Sequence, residues 1–102
     1  MSRYWLSFDL GIRGNYDALY EWLDNMGAEE CADSLASFTS DKRREEIASE
    51  VASILDPSAR VYLIGKRARD GRVVGNFVMG KRRRSAWAGY GGAVPSEVEE
   101  EA

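Results

Sequence analysis

The sequence predicts an α+β domain: an antiparallel sheet with two helices on one of its faces. Two observations set the elements. Apolar residues recur at helical spacing in two segments, first Tyr16, Leu19, Tyr20, Leu23 and Met26, then Ile47, Ala48, Val51, Ile54 and Leu55, the pattern of helices with one buried stripe. Short runs rich in β-branched and aromatic residues lie before, between and after these segments. A third observation sets the arrangement. The order strand, helix, strand, strand, helix, strand is the split βαβ, or ferredoxin-like, arrangement, here extended by a strand that makes a C-terminal basic hairpin.

The first strand is expected over residues 3–9. Its apolar and aromatic side chains, Tyr4, Trp5, Leu6 and Phe8, fall on both parities. That suits a central strand covered on one face and paired in an interface on the other. Gly11 to Gly14 is a loop. Asn15 is a good N-cap, Asp17 favours the first turn electrostatically, and Gly27 stands where a C-terminal glycine belongs; the first helix is expected over 15–26. Residues 28–31 and 34–39 read as two short strands, with small residues between them that allow a tight turn or a bulge. Ser40-Asp41 opens the second helix and Pro57 stops it. Arg60 to Lys66 is a strand built on Val61, Tyr62, Leu63 and Ile64. Asp70-Gly71 is a hairpin turn signal, and Val73 to Met79 is the returning strand. Ser85 to Gly92 is a short aromatic, glycine-rich segment that holds Trp87 and Tyr90.

A chain of 102 residues is expected to form one domain, over 1–94, followed by an acidic tail over 95–102 read as disordered. No apolar run approaches the ~20 residues of a membrane span, and the N-terminus lacks a signal-peptide layout. A cytoplasmic location without a membrane partner is the expectation. There is no His, and Cys31 is the sole cysteine. His-dependent triads, His metal sites, intrachain disulfides and cysteine zinc clusters are thereby excluded, and Cys31 reads as a small buried hydrophobe. Catalysis would fall to carboxylates, hydroxyls, Arg, Lys, Tyr or a cation on oxygen ligands. The formal net charge of −3 conceals an uneven distribution. Arg60, Lys66, Arg67, Arg69, Arg72 and Lys81 to Arg84 face one acid, Asp70, whereas Glu97, Glu99, Glu100 and Glu101 crowd the last residues.

Two features point to chemistry. Asp9 sits at the C-terminal tip of the first strand. It reads either as a Mg²⁺ or Mn²⁺ ligand and catalytic carboxylate, since hard cations take carboxylate oxygens and neutralise a phosphodiester, or as the cap of the Gly11–Gly14 loop or the partner of Arg13. The run Lys81, Arg82, Arg83 and Arg84 attracts phosphate, and Trp87 and Tyr90 offer rings on which bases stack. Arg13, Arg67 and Arg69 extend this candidate surface for nucleic acid or an acidic partner. The plainer alternative is a solvated hairpin end paired with the acidic tail. Trp5, Trp22, Tyr16 and Tyr20 read as core or dimer interface. No glycine spacing matches a phosphate loop, and Ser34 and Ser37 have no His partner.

The opening YWLSFDL, the helix ending LDNMG, the stretch DSLASF and the helix running into ILDPSARVYLIGK together resemble the CRISPR-associated protein 2 superfamily. The match is closest to its SinR-like branch, which is similar also in the late element Ala86-Trp87-Ala88-Gly89; virulence-associated protein D is a more distant cousin. The resemblance covers roughly residues 3–65 and 85–90, and the basic stretch 66–84 departs from it. It implies a two-fold homodimer in which paired first-strand Asp residues, here Asp9, meet in a cleft and hold a divalent cation, with Ser34 as the serine of the second half-sheet. It also implies weak nuclease activity or none, several members being structural dimers that hold DNA. Residues and resemblance together set the expectation of a homodimeric nucleic-acid-handling protein, on RNA or DNA, with a weak metal-dependent nuclease activity that uses Mg²⁺ or Mn²⁺. The alternative is a non-enzymatic protein-interaction module, such as a phage or mobile-element factor acting on a host defence or toxin complex.

Overall fold

The structure, a computed structural model, describes residues 1–92; the expected acidic tail and the domain end at residue 94 lie outside the described residues. The elements are β1 (Ser2–Asp9), α1 (Tyr16–Asn25), β2 (Glu29–Ala32), β3 (Leu35–Ser40), α2 (Arg44–Ile54), β4 (Arg60–Lys66) and β5 (Val73–Met79). The strands form one open sheet in the order β2-β3-β1-β4-β5, and every pairing is antiparallel. This is an α+β architecture, compatible with the expected ferredoxin-like arrangement, with β5 added outside β4.

Alternation along the central strand decides where the core sits. Tyr4, Leu6 and Phe8 are buried while Ser7 and Asp9 are exposed, the period-two signature of a sheet covered on one face. Leu6 lies opposite Ala36 of β3 and Leu63 of β4. These residues join Phe38 and Val61 of the sheet, Leu19 and Leu23 of α1, and Ile47 and Val51 of α2 in a single core cluster. Both helices therefore bury their apolar stripes against the same sheet face. Full burial of an aliphatic chain of this size contributes about 1.5–3 kcal/mol relative to exposure.

Local chemistry sets the ends of α1. The Asn15 side chain accepts from Ala18 N–H at 3.2 Å. At the other end Gly27 has φ +67, and Gly27 N–H and Ala28 N–H donate to Asp24 and Leu23 C=O, the double bond of a Schellman cap. The second helix begins later than expected, at Arg44. Ser40 still pairs with Ser2 as part of β3, and its Oγ accepts Lys42 N–H at 3.0 Å, so the helix-starting chemistry of Ser40-Asp41 is spent on the turn out of the strand. The expected turn or bulge near residue 33 is both. The β2–β3 register shifts between Glu30 and Ala32, and Ser34 adopts φ 59. One further expectation changes. Cys31 is exposed on the edge strand β2 because β2 lies beyond the helices' cover. Tyr20, expected in the core or a dimer interface, is outside the core of the single chain, its ring meeting Phe8 and Tyr16.

The added strand β5 is held from the helix side. One guanidinium, Arg44 in the first turn of α2, donates to Gly65 C=O at 2.7 Å, to Leu63 and Val74 C=O at 3.3 Å each, and to Asn76 Oδ1. It thus ties α2, β4 and β5 together, a role that sequence reasoning did not give it. Among the described residues no helix is long and apolar enough to cross a membrane.

Candidate nucleic-acid interface

The sheet face that the helices leave open carries the chemistry. Register places Trp5, Leu35, Tyr62, Ile64 and Phe77 on it, all partly buried, together with Arg3, Ser7 and Asp9. Tyr62 and Phe77 meet edge to face at 4.9 Å between centroids. Asp9 stands directly opposite Arg60.

After β5 the chain reverses at Gly80. Its φ of +77 is open to glycine, and a Cβ there would come within 2.8 Å of Arg60 Cγ. The reversal sends residues 82–87 back over the Asp9 end of the open face. The Arg82 guanidinium lies 5.9 Å from the Phe77 ring centroid, a cation–π distance. Arg83 Nη2 reaches Asp9 Oδ2 at 3.4 Å. Consecutive turns follow, with Ala88 N–H on Ser85 C=O and Tyr90 N–H on Trp87 C=O. The result is a groove of about 800 Å³ with Ser7, Phe8, Asp9, Arg60, Tyr62, Phe77 and residues 82–87 along its walls. Trp87 is 75% exposed, so its ring is available to a ligand.

The expected site residues thus divide. The groove gathers Asp9, Arg82, Arg83, Arg84 and Trp87. Arg13 and Tyr90 are exposed but do not line it, and neither does Lys81. Arg67 and Arg69 sit in the β4–β5 turn, at the opposite end of β5, roughly 23 Å away for a seven-residue strand. Hence the cations of 66–84 do not form one hairpin surface. Arg67 is also committed: its guanidinium binds Asp70 at 2.6 and 3.2 Å. That bond, with a further one from Arg72 N–H, holds the Asp70 carboxyl below the usual range.

Asp9 has taken up two bonds. Oδ1 accepts Gly11 N–H at 3.1 Å, which is the loop-capping role weighed from the sequence, and the cation on Oδ2 is Arg83 rather than Arg13. Ser34 lies in the β2–β3 turn, where its C=O accepts Phe8 N–H at 3.0 Å. Among the described residues no three His, Cys, Asp or Glu side chains gather as a metal-binding group. Sequence reasoning missed Tyr62 and Phe77 as groove residues and counted Arg60 only among the cations of 60–72. Their signal was available in principle, because an antiparallel neighbour puts Arg60 opposite Asp9 and Tyr62 opposite Ser7.

Comparison with protein-family models, with curated proteins and with solved structures gave no match.

Proposed function

We propose that this chain is a homodimeric, ferredoxin-like protein that binds single-stranded nucleic acid in the groove at the Asp9 end of its open sheet face. One observation carries the reading: Arg60, Arg82, Arg83 and Arg84 share a groove with the rings of Tyr62, Phe77 and the exposed Trp87. Guanidiniums neutralise successive phosphates, and aromatic faces take unstacked bases, which a duplex keeps inside its own stack. The pairing of Arg83 with Asp9 does not oppose this. Both side chains are more than half exposed, at 65% and 53%, and such pairs contribute only about 0–1 kcal/mol, so a phosphate displaces the carboxylate at little cost. The dimer is supported by Trp5, Leu35 and Ile64, an apolar strip on a sheet face that neither described helix covers. A metal-dependent nuclease step gains no support from this geometry, since Asp9 is the one acid among the described residues of the groove and it serves Gly11 and Arg83.

Fluorescence anisotropy of short labelled single-stranded oligonucleotides at low salt tests the reading. Stacking on one ring is worth about 1–3 kcal/mol by alanine substitution, so Trp87→Ala weakens binding between about fivefold and about 150-fold. Absence of binding by the unmodified chain at low salt overturns the proposal and leaves the groove to an acidic protein partner.

A further inference from the structure

We infer that the outer edge of β5 pairs with the same edge of a second copy of this chain when two copies share one nucleic-acid strand, so that binding is cooperative. The two edges of the sheet are built differently. Strand β2 has four residues, a register shift and the charges of Glu29 and Glu30, all of which discourage pairing. Strand β5, at the other end of the strand order, has seven residues with no charge and no proline. Its register shift falls at the far end, beyond Phe77. Ladder geometry shows which groups face outward. Arg67 N–H donates to Arg72 C=O at 2.8 Å, which makes these two a hydrogen-bonded pair. Such pairs alternate with open ones along an antiparallel ladder. Continued from Lys66 opposite Val73 to Tyr62 opposite Phe77, the alternation turns the N–H and C=O of Val73, Gly75 and Phe77 away from β4.

A second copy is the occupant that these groups fit. An antiparallel pair centred on Gly75 sets it against the partner's Gly75, Val73 against the partner's Phe77 and Val74 against the partner's Asn76. All three outward residues then find mates, a β-branched side chain meets an aromatic one, and no charge lies within the paired stretch. Gly75 suits the axis: a Cβ there would strike the Tyr62 ring, which already lies over it. The two-fold stands perpendicular to the sheet, so both open faces look the same way. Two grooves, each with Phe77 in its wall, then share one side of a continuous sheet. The contact is small. A pairing of this length falls well short of the roughly 1,200 Å² of a stable interface, so free protein at micromolar concentration does not use it. On a shared strand the effective concentration rises to about 10 mM, and against a pairing Kd of about 1 mM the gain is about tenfold. The cooperativity rests on the nucleic-acid reading; the pairing of the edges does not.

The test uses the full chain, Val73→Pro and Val73→Thr. Proline deletes an outward N–H without touching the β4 ladder and is tolerated at the start of an edge strand; threonine keeps both the N–H and the branch. Each protein is titrated with labelled oligothymidylates of about 10 and about 30 nucleotides, the shorter filling one site and the longer at least two. Pairing predicts equal affinity of all three proteins for the short strand. On the long strand Val73→Pro binds about tenfold more weakly than wild type and Val73→Thr does not. Avidity within one face-paired dimer is common to the three proteins and cancels in the comparison. A long-strand affinity that Val73→Pro leaves unchanged overturns the pairing. Hydrogen exchange of the wild type decides without any substitution. The amides of Val73, Gly75 and Phe77 exchange freely with the short strand bound and slow about tenfold with the long one, while those of Val74 and Asn76, bonded to β4, stay protected throughout. No slowing at these three overturns the pairing. If neither oligonucleotide binds, the nucleic-acid reading falls and sedimentation at about 1 mM judges the pairing alone: a wild-type mass above that of Val73→Pro supports it, and equal masses overturn it.

Discussion

Gly65 lies beneath the ring of Tyr4, and the two fix each other. A Cβ at Gly65 would come 2.4 Å from Tyr4 Cδ1. The ring cannot retreat cheaply, being 3% exposed and anchored by its hydroxyl, which donates to Lys42 C=O at 2.8 Å. Gly65→Ala therefore overpacks the core and should cost about 1–3 kcal/mol, read as a lower urea midpoint at unchanged m-value; a midpoint equal to wild type refutes the assignment. Glu50 makes a different prediction at the same scale. It accepts from Lys42 Nζ at 2.6 Å and from Trp22 Nε1 at 3.1 Å, and the Lys42 bond foremost, then the indole, holds its carboxyl below the ordinary 4.5. A carboxyl lowered in the folded state contributes stability that is present above its unfolded value and lost as pH falls through its folded value. Wild type should thus exceed Glu50→Gln in stability at pH 7, and the gap should close as pH falls from the ordinary 4.5 through the lower folded value. Urea midpoints across that range check the sign.

Among the elements, β5 depends most on a single side chain. It is an edge strand, and Arg44 fastens it through Val74 C=O and Asn76 Oδ1 while also holding Leu63 and Gly65 C=O of β4. Hydrogen bonds to a charged group contribute about 1.5–3 kcal/mol, so Arg44→Met should destabilise the domain by about that amount. Amide exchange should quicken in β5 while β1 stays protected; uniform quickening across the sheet would contradict a local clamp. The elements whose signals are local were legible in the sequence. Helix α1 carried its stripe, its Asn15 cap and its Gly27 stop, and the β4–β5 hairpin carried Asp70-Gly71. Helix α2 was misplaced at its start because Ser40 serves strand and turn at once. The groove was legible only as ingredients. Its assembly rests on contacts such as Arg83 to Asp9, 74 residues apart, and on a reversal at Gly80 that no periodicity announces.

At the scale of the molecule, charge and apolar surface are segregated. The edge strand β2 carries Glu29 and Glu30, the far side of the sheet carries Arg60 in β4 and Arg82 to Arg84 after β5, and between them the open sheet face presents Trp5, Leu35 and Ile64. A sheet face with this composition and neither described helix over it fits a two-fold partner. Light scattering should give twice the chain mass of 11.4 kDa at micromolar concentration, and Trp5→Glu with Ile64→Glu should return the single-chain value. A wild-type mass of 11.4 kDa would remove the dimer without touching the groove.

The groove itself is tested most directly by the salt dependence of oligonucleotide binding, compared between the wild type and a variant with Arg82→Gln, Arg83→Gln and Arg84→Gln. Each phosphate neutralised on a single strand contributes about 0.7 to the slope of log K against log salt. If the three arginines each hold a phosphate, the variant's slope is shallower by about 2 and its affinity is lower at every salt concentration. Equal slopes and equal affinities would contradict the assignment of this groove to nucleic acid.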